Sequence, residues 1–169
     1  MDRKIFVLGT DHGFQREDPK FSNAMHLEFA DFLRKTIQDS SVVGVAEENN
    51  HEALSEYSRE MSVPERIAAD LGIPHRHCDP NRQTRSELGI RQENSIRVQN
   101  FPEKVSEAEV QNQLNASDRK REQYWLQQLL ELNSWPVLFI CGANHVKPFL
   151  KLIESDEIQT FLVASDWGA

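Results

Sequence analysis

The chain has 169 residues, 38% of them apolar, and a formal net charge of −8 at pH 7. A chain of this length can bury one ordinary hydrophobic core, so we expect a single domain over residues 1–169. The acidic balance argues against binding to duplex nucleic acid, which is driven by Lys and Arg neutralising phosphates. No apolar run approaches the roughly 20 residues needed to cross a bilayer, and the N-terminal run is too short for a signal peptide, so we expect a cytoplasmic protein.

In the first half of the chain, predicted strands and helices alternate. The apolar run Lys4–Leu8 predicts a strand buried on both faces, and apolar residues at helical spacing over 23–37 predict a helix packed on it. A second buried strand is predicted at 41–46 and a short helix at 63–71. Residues 73–78 predict a weaker third strand, because a proline lies inside it.

The second half begins with a segment of neither helical nor strand period, residues 79–100, which predicts a long functional loop or a partly helical insertion. Ser106 begins a Ser-x-x-Glu capping box, and the pattern predicts a helix from there to Leu132 that residues 115–117 could interrupt. A strand, a helix and a closing strand are predicted at 135–141, 146–153 and 160–164. Such alternation predicts a compact α/β fold, in which a mostly parallel sheet is flanked by helices.

Two Gly-x-x-His turns follow predicted buried strands, Gly9-Thr10-Asp11-His12 and Gly142-Ala143-Asn144-His145. Parallel strands deliver their carboxyl ends to one edge of a sheet, so we expect His12 and His145 to meet there with Glu47 or Glu48, which follow the second strand. Imidazole and carboxylate groups supply either metal ligands or a general acid/base pair. A lone histidine at a strand end is more often structural, but two such turns with an acidic residue favour a functional site.

The other histidine pair and the two cysteines give weaker signals. His75 and His77 are two residues apart, so on a strand they would share a face and could bind a metal together. Pro74 and the neighbouring arginines favour a role other than metal binding. Cys78 and Cys141 form no Cys-x-x-Cys pair, and we expect both to be reduced and to serve in packing.

A positive segment lies inside this acidic protein. Between positions 76 and 97 there are five arginines and three acidic residues. Arginine matches carboxylate and phosphate groups, so we expect an anionic small molecule or peptide to bind near this segment. Arg121 either stays in a solvated charged turn or reaches into the site. The residues expected to contact the substrate are Arg82, Arg85, Arg91, Asp11 and Asn144.

The two Gly-x-x-His motifs, the acidic pair between them and Arg121 before the second motif resemble, in that order, the Tiki/TraB/erythromycin-esterase superfamily, which includes ChaN-like haem-binding proteins. The resemblance implies a compact α/β core with a site of His12, His145, Glu47 or Glu48, and Arg121. It does not fix the substrate. The Tiki branch resembles metal-dependent proteases, erythromycin esterases use a histidine to activate water, and the ChaN-like branch binds haem. This chain is shorter than the larger members, which leaves little room for the helical additions that shape their pockets.

The leading hypothesis is a small hydrolase. The two motif histidines and an acidic residue would hold a divalent metal such as Mn, Co or Zn, or would activate water directly, while Arg121 or Arg85 stabilises the developing oxyanion. For the metal version, the expected ligands are His12, Glu47 and His145. The main alternative is a noncatalytic binding module, for haem or a nucleotide, in which the same histidines only ligate or orient the ligand.

Overall fold

The computed structural model of the protein describes residues 3–102, 105–154 and 157–169. The strands are β1 (Arg3–Thr10), β2 (Gly44–Glu47), β3 (His75–His77), β4 (Val137–Gly142) and β5 (Ile158–Trp167). The helices are α1 (His12–Gln15), α2 (Asn23–Asp39), α3 (His51–Glu56), α4 (Val63–Leu71), α5 (Arg82–Leu88), α6 (Glu93–Asn100), α7 (Glu107–Leu132) and α8 (Ala143–Ile153). All strand pairs are parallel, in the order β3-β2-β4-β1-β5, which confirms the predicted α/β class.

Helix starts and stops follow local capping chemistry. The Ser62 hydroxyl accepts a hydrogen bond from the Glu65 amide and forms a capping box at the start of α4, which ends at Gly72 in the left-handed conformation. The α7 helix begins at the predicted cap, Ser106, and is continuous, without the interruption that residues 115–117 could have produced. The segment 79–100 contains two short helices, α5 and α6. Within the described residues, no helix is both long and apolar enough to span a membrane.

The sheet is covered on both faces, because successive side chains of its central strands point to opposite sides. Val7 and Phe139 belong to a buried cluster with apolar residues of α7 and α8. Leu8 and Ile140 belong to a second cluster with apolar residues of α2 and α4. The two cysteines, Cys78 and Cys141, are free and buried in the first cluster, and burial raises the pKa of both thiols. Their predicted packing role agrees with this environment.

The strand order brings the predicted site segments together. Thr10 at the end of β1 pairs with Gly142 at the end of β4, so the two Gly-x-x-His turns leave the sheet side by side. On the other side of β4, Glu47 pairs with Ile140, and β3 then pairs with β2. The parallel topology therefore delivers the residues after β1, β2, β3 and β4 to one edge of the sheet.

Gly9 lies where the backbone of β5 and a side chain of α8 come closest to β1. A Cβ atom at Gly9 would overlap the carbonyl oxygen of Ser165 and would lie 2.5 Å from Cγ2 of Val146. Because one neighbour is backbone of a paired strand, it cannot rotate away. By contrast, a Cβ at Gly72 would meet no atom of the described residues within 4 Å, although the φ of 66° there disfavours a side chain.

We predict that Gly9→Ala lowers the free energy of unfolding by about 3 kcal/mol, from overpacking in the core. The matched variant Gly72→Ala should cost only about 1 kcal/mol, which is the penalty of the left-handed conformation. Urea unfolding followed by circular dichroism measures both values. Equal losses for the two variants would contradict the close approach of β5 to Gly9.

Candidate functional site

Three side chains from three strand ends meet at one buried oxygen atom. Nε2 of His12 lies 3.5 Å from Oε1 of Glu48, and Nε2 of His145 lies 3.9 Å from the same oxygen. The Glu48 side chain is 1% exposed, whereas the His12 side chain is 39% exposed. The structure thus places both motif histidines beside one carboxylate, and that carboxylate belongs to Glu48.

Backbone groups fix the Glu48 side chain in this position. The Glu48 amide donates to the carbonyl oxygen of Ile140 at 2.7 Å, and the Gly142 amide donates to Oε2 of Glu48 at 2.8 Å. A Cβ atom at Gly142 would lie 3.0 Å from Nε2 of His12 and 3.4 Å from Oε2 of Glu48. Glycine in the second motif therefore lets the first motif's histidine approach the carboxylate.

Arg121 on α7 joins this carboxylate to a second one. Nη2 of Arg121 lies 2.8 Å from Oε1 of Glu48, and Nε of Arg121 donates to Oδ1 of Asp79 at 2.5 Å. The Trp125 indole N–H donates to the same Asp79 oxygen at 3.2 Å, and Arg85 pairs with the other Asp79 oxygen. These contacts tie α7 to the ends of β2 and β3 through buried charges.

The buried side chains of Glu48 and Arg121 stabilise each other in their ionised forms. Burial opposes the charge on Glu48, but Arg121 and His12 outweigh it and hold the pKa of Glu48 well below its usual range. Burial likewise opposes the charge on Arg121, and the carboxylates of Glu48 and Asp79 raise the pKa of Arg121. A buried carboxylate and a buried guanidinium therefore keep their charges because each has the other as a partner.

Both imidazole rings are oriented through Nδ1. Nδ1 of His12 lies 2.7 Å from Oε1 of Gln15, whose Nε2 donates to Oε2 of Glu47 at 2.7 Å. The Gln15 oxygen is therefore an acceptor, and Nδ1 of His12 carries the hydrogen. Nδ1 of His145 lies 3.1 Å from Oε1 of Glu122, which is also an acceptor. Each ring is left with Nε2 directed towards the buried carboxylate.

The pKa values of the two histidines rise for related reasons. Burial alone would lower the pKa of His12, but the charge of Glu48 and its hydrogen bond raise it to about 9. Burial also opposes the charge on His145, and the hydrogen bond that its Nδ1–H donates to Glu122, together with the charge of Glu48, raises the pKa of His145. His12 is therefore an imidazolium at neutral pH, when it can donate a proton from Nε2.

Two of the cavities at this group are lined by Arg121, Asn144 and His145. The smaller cavity, of about 560 Å³, also contains His12 and Glu48. The larger cavity, of about 680 Å³, extends between α7 and the 79–100 segment. Its charged lining residues are Arg85, Arg91, Glu93, Arg97, Asp118, Arg119, Arg121 and Glu122. Arg121 thus reaches into the site and does not remain in a solvated turn.

Asp11 and Asn144, the predicted substrate residues next to the motif histidines, make different contacts. Asp11 caps α1 through a 2.7 Å hydrogen bond from the Gly13 amide, and Nζ of Lys20 lies 2.8 Å from its other oxygen. Asn144 lines both cavities. Asp11 lies at the rim of the smaller cavity, but its carboxylate mainly stabilises the turn that carries His12.

The three predicted substrate arginines are not equivalent. Arg85 and Arg91 line the larger cavity, where Arg85 pairs with Asp79 and Arg91 donates to two glutamine side chains. Arg82 is exposed, pairs with a glutamate of α3 and lies outside the lining of the cavities that contain the motif histidines. Arg82 is thus separated from the site, whereas Arg85 and Arg91 remain beside it.

Glu47, in contrast to Glu48, turns towards the other histidine pair. Oε1 of Glu47 lies 2.9 Å from Nε2 of His75 and 3.5 Å from Nδ1 of His77. The structure therefore does not bring His12, Glu47 and His145 together as the predicted metal ligands, because Glu47 contacts neither motif histidine directly. Among the described residues, the one group whose ligand atoms all lie within 4.8 Å of one another is Glu47, His75 and His77. That group could hold a metal ion.

The side chain of Arg76, whose charge disfavours metal binding by His75 and His77, lies on the opposite face of β3. Nη1 of Arg76 donates to Gln128 at 2.7 Å and to Glu131 at 3.0 Å, both on α7. Alternation along the strand therefore places His75 and His77 together and removes the Arg76 charge from them. The proline before His75 does not prevent β3 from pairing with β2.

Sequence reasoning missed Asp79, Glu122 and Gln15. Asp79 follows β3 directly, so it carries the same strand-end signal as the other site residues. Gln15 lies three residues after His12, within reach on one helical turn. Glu122 gives no comparable signal, because its contact with His145 joins residues that are distant in sequence.

Comparisons with known proteins identify no relative of this chain. No protein-family model, curated protein or solved structure matches it. The function must therefore follow from the chemistry of the site itself. That chemistry consists of two oriented imidazoles, one buried carboxylate and a guanidinium fixed between two cavities.

We predict that Glu48→Gln lowers the pKa of His12 from about 9 to 6.5 or below, because burial and Arg121 then oppose the imidazolium charge. A pH titration of the His12 Cε1–H signal by NMR measures the change. Glu131→Gln, at an exposed position on α7, is the matched control and should leave the His12 titration unchanged. An unaltered His12 pKa in Glu48→Gln would contradict the assigned contact.

Proposed function

We propose that this protein is a small hydrolase of the Tiki/TraB/erythromycin-esterase type, acting on an anionic small molecule or peptide. The proposal rests on one observation. Two imidazoles, each held through Nδ1, direct Nε2 towards the same buried carboxylate beside an open cavity of about 560 Å³. Acid–base catalysis requires oriented titratable groups within reach of a bound substrate, and two imidazoles held beside one cavity meet that requirement.

His145 has the arrangement of a general base. The Glu122 carboxylate accepts the hydrogen of its Nδ1, so once pH exceeds the raised pKa of His145, the Nε2 lone pair can accept a proton at the cavity that His145 lines. In the proposed reaction, Nε2 of His145 takes a proton from water while the water oxygen attacks the scissile carbon or phosphorus. Glu122 stabilises the imidazolium that forms, which is the role of an orienting carboxylate in a catalytic triad.

His12 has the arrangement of a general acid. The charge of Glu48 keeps the ring protonated at neutral pH, and the ring is the more exposed of the two. When the bond to the leaving group breaks, Nε2 of His12 donates its proton to that group. The proton taken by His145 then returns to solvent and His12 takes up a proton from solvent, so the two rings regain their initial protonation states.

Arg121 supplies the fixed positive charge of the site. It lines both cavities, and its contacts with Glu48 and Asp79 hold the guanidinium in one orientation. A preorganised guanidinium stabilises an oxyanion without having to reorganise during the reaction. The arginines of the larger cavity, which include Arg85 and Arg91, favour a substrate with a carboxylate or phosphate group.

The motif histidines suit proton transfer better than metal ligation. A cation bound to Glu48 would compete with Nη2 of Arg121, which already lies 2.8 Å from Oε1. A metal ligand must also be a neutral imidazole, whereas Glu48 favours the protonated form of His12. The residues His12, His145 and Glu48 therefore do not fit a divalent metal, and the proposed reaction needs none at this site.

We predict that His12→Gln and His145→Gln each lower kcat/KM by about 10²- to 10⁴-fold, the usual contribution of a general acid or base. The substrates to test are aryl esters, aryl phosphates and short peptides, each in an anionic and a neutral form. The wild-type rate should rise as His145 loses its proton and should fall as His12 loses its own near pH 9. His12→Gln should remove the alkaline fall from any residual activity.

His51→Gln is the matched control, because His51 is exposed and lines none of the cavities that contain a motif histidine. It should retain the wild-type rate and pH profile. The proposal is wrong if no substrate of the set is hydrolysed, or if both motif-histidine variants keep full activity. Retention of haem or a nucleotide on purification without turnover would favour a binding module instead.

A further inference from the structure

We propose that Glu47, His75 and His77 form a binding site for a single Zn²⁺ ion, separate from the two motif histidines. The three side chains come from the adjacent strands β2 and β3, whose parallel register pairs Val45 with His75 and Glu47 with His77. Their ligand atoms lie within 4.8 Å of one another. This inference does not depend on the proposed hydrolase activity, because it concerns different side chains.

The site is built around one oxygen atom. Oε1 of Glu47 accepts a hydrogen bond from the Ser62 hydroxyl and lies 2.9 Å from Nε2 of His75 and 3.5 Å from Nδ1 of His77. The Glu47 side chain is 0% exposed, and each of the two histidine side chains is 10% exposed. A carboxylate this deeply buried needs a positive partner, and the two imidazoles are the ionisable groups that lie against its Oε1.

An unpartnered nitrogen atom points to a ligand. Nδ1 of His77 is buried and has no hydrogen-bond partner within the described part of the chain. Nε2 of the same ring lies 3.2 Å from Oε2 of Glu65, an acceptor, so the ring hydrogen belongs on Nε2. The Nδ1 lone pair then faces the Glu47 oxygen, which also carries lone pairs. A cation between these two atoms satisfies both.

The groups around the three ligands resemble the outer contacts of a zinc site. Metal-bound histidines usually donate their second ring N–H to a carboxylate, which fixes the ring and raises its basicity. Glu65 provides that contact for His77 from the first turn of α4. The second oxygen of Glu47 is held by Nε2 of Gln15 at 2.7 Å, so the carboxylate is fixed at both ends.

The ligand types select the metal class. Two imidazole nitrogens and one carboxylate oxygen are a common protein ligand set for Zn²⁺, with a hydroxyl or water in the fourth position. Mg²⁺ and Ca²⁺ prefer sites made of oxygen atoms. The Ser62 hydroxyl already lies against the Glu47 oxygen and is placed to fill or to orient the fourth position. The chemistry therefore favours Zn²⁺ over the hard cations.

The test uses the full chain, stripped with chelator and titrated with ZnCl₂ at neutral pH by isothermal calorimetry. We expect one Zn²⁺ per chain and a rise in Tm on binding, since the metal binds the folded state only. His77→Gln should abolish stoichiometric binding, and Glu47→Gln should do the same. Glu65→Gln should weaken the Zn²⁺ affinity by about 10- to 100-fold, which is the usual effect of losing an outer contact.

His51→Gln is the matched control, because its ring packs against His77 at a centroid distance of 4.6 Å without contributing a ligand atom to the group. His51→Gln, His12→Gln and His145→Gln should all bind Zn²⁺ as the wild type does. Folding of every variant is checked by circular dichroism, and a Co²⁺ titration gives an independent absorbance signal. Failure of the folded wild type to bind Zn²⁺ would overturn the proposal, and so would loss of binding in His145→Gln with retention in His77→Gln.

Discussion

The ion pair between Arg121 and the two carboxylates of Glu48 and Asp79 is the interaction on which the site depends. It joins the long helix α7 to the ends of two strands, in an environment that would otherwise exclude charge. A buried carboxylate is tolerated only with a partner, and here the partner comes from a residue more than 40 positions away in the chain. With Arg121 in place, Glu48 stays ionised and holds His12 as an imidazolium. The acid–base properties of the cavity are therefore a consequence of how α7 packs on the sheet.

The adjacent residues Glu47 and Glu48 contact different histidine pairs at this edge of the sheet. Glu48 meets the motif histidines and a guanidinium, so its surroundings favour proton transfer. Glu47 meets a second pair of imidazoles and, among the residues that the structure describes, no arginine, so the group could hold a metal ion. Gln15 connects the two regions, since it bonds to His12 with its oxygen and to Glu47 with its nitrogen. A metal ion on Glu47 would therefore also fix the amide that orients His12.

Much of the fold follows from local patterns, because buried parallel strands and amphipathic helices have distinct periods. The α4 helix has the predicted bounds, and the ends of β1 and β4 place His12 and His145 side by side. The sequence could not decide between Glu47 and Glu48, since that choice depends on which side of β2 each neighbour occupies. It also favoured a role other than metal binding for His75 and His77, in part because Arg76 is their neighbour in the sequence, whereas in the sheet the Arg76 side chain points to the opposite face. Contacts such as Glu122 with His145 depend on tertiary packing alone.

The most direct test of this account is a double-mutant cycle on the free energy of unfolding, with Arg121→Met and Glu48→Gln. Each single variant leaves a buried charge without its main partner and should cost about 3–5 kcal/mol, whereas the double variant removes both charges. The account predicts that the double variant loses less stability than the sum of the single losses, by about 2 kcal/mol. Losses that add within about 0.5 kcal/mol would show that the two side chains act independently and would contradict the central role of the pair.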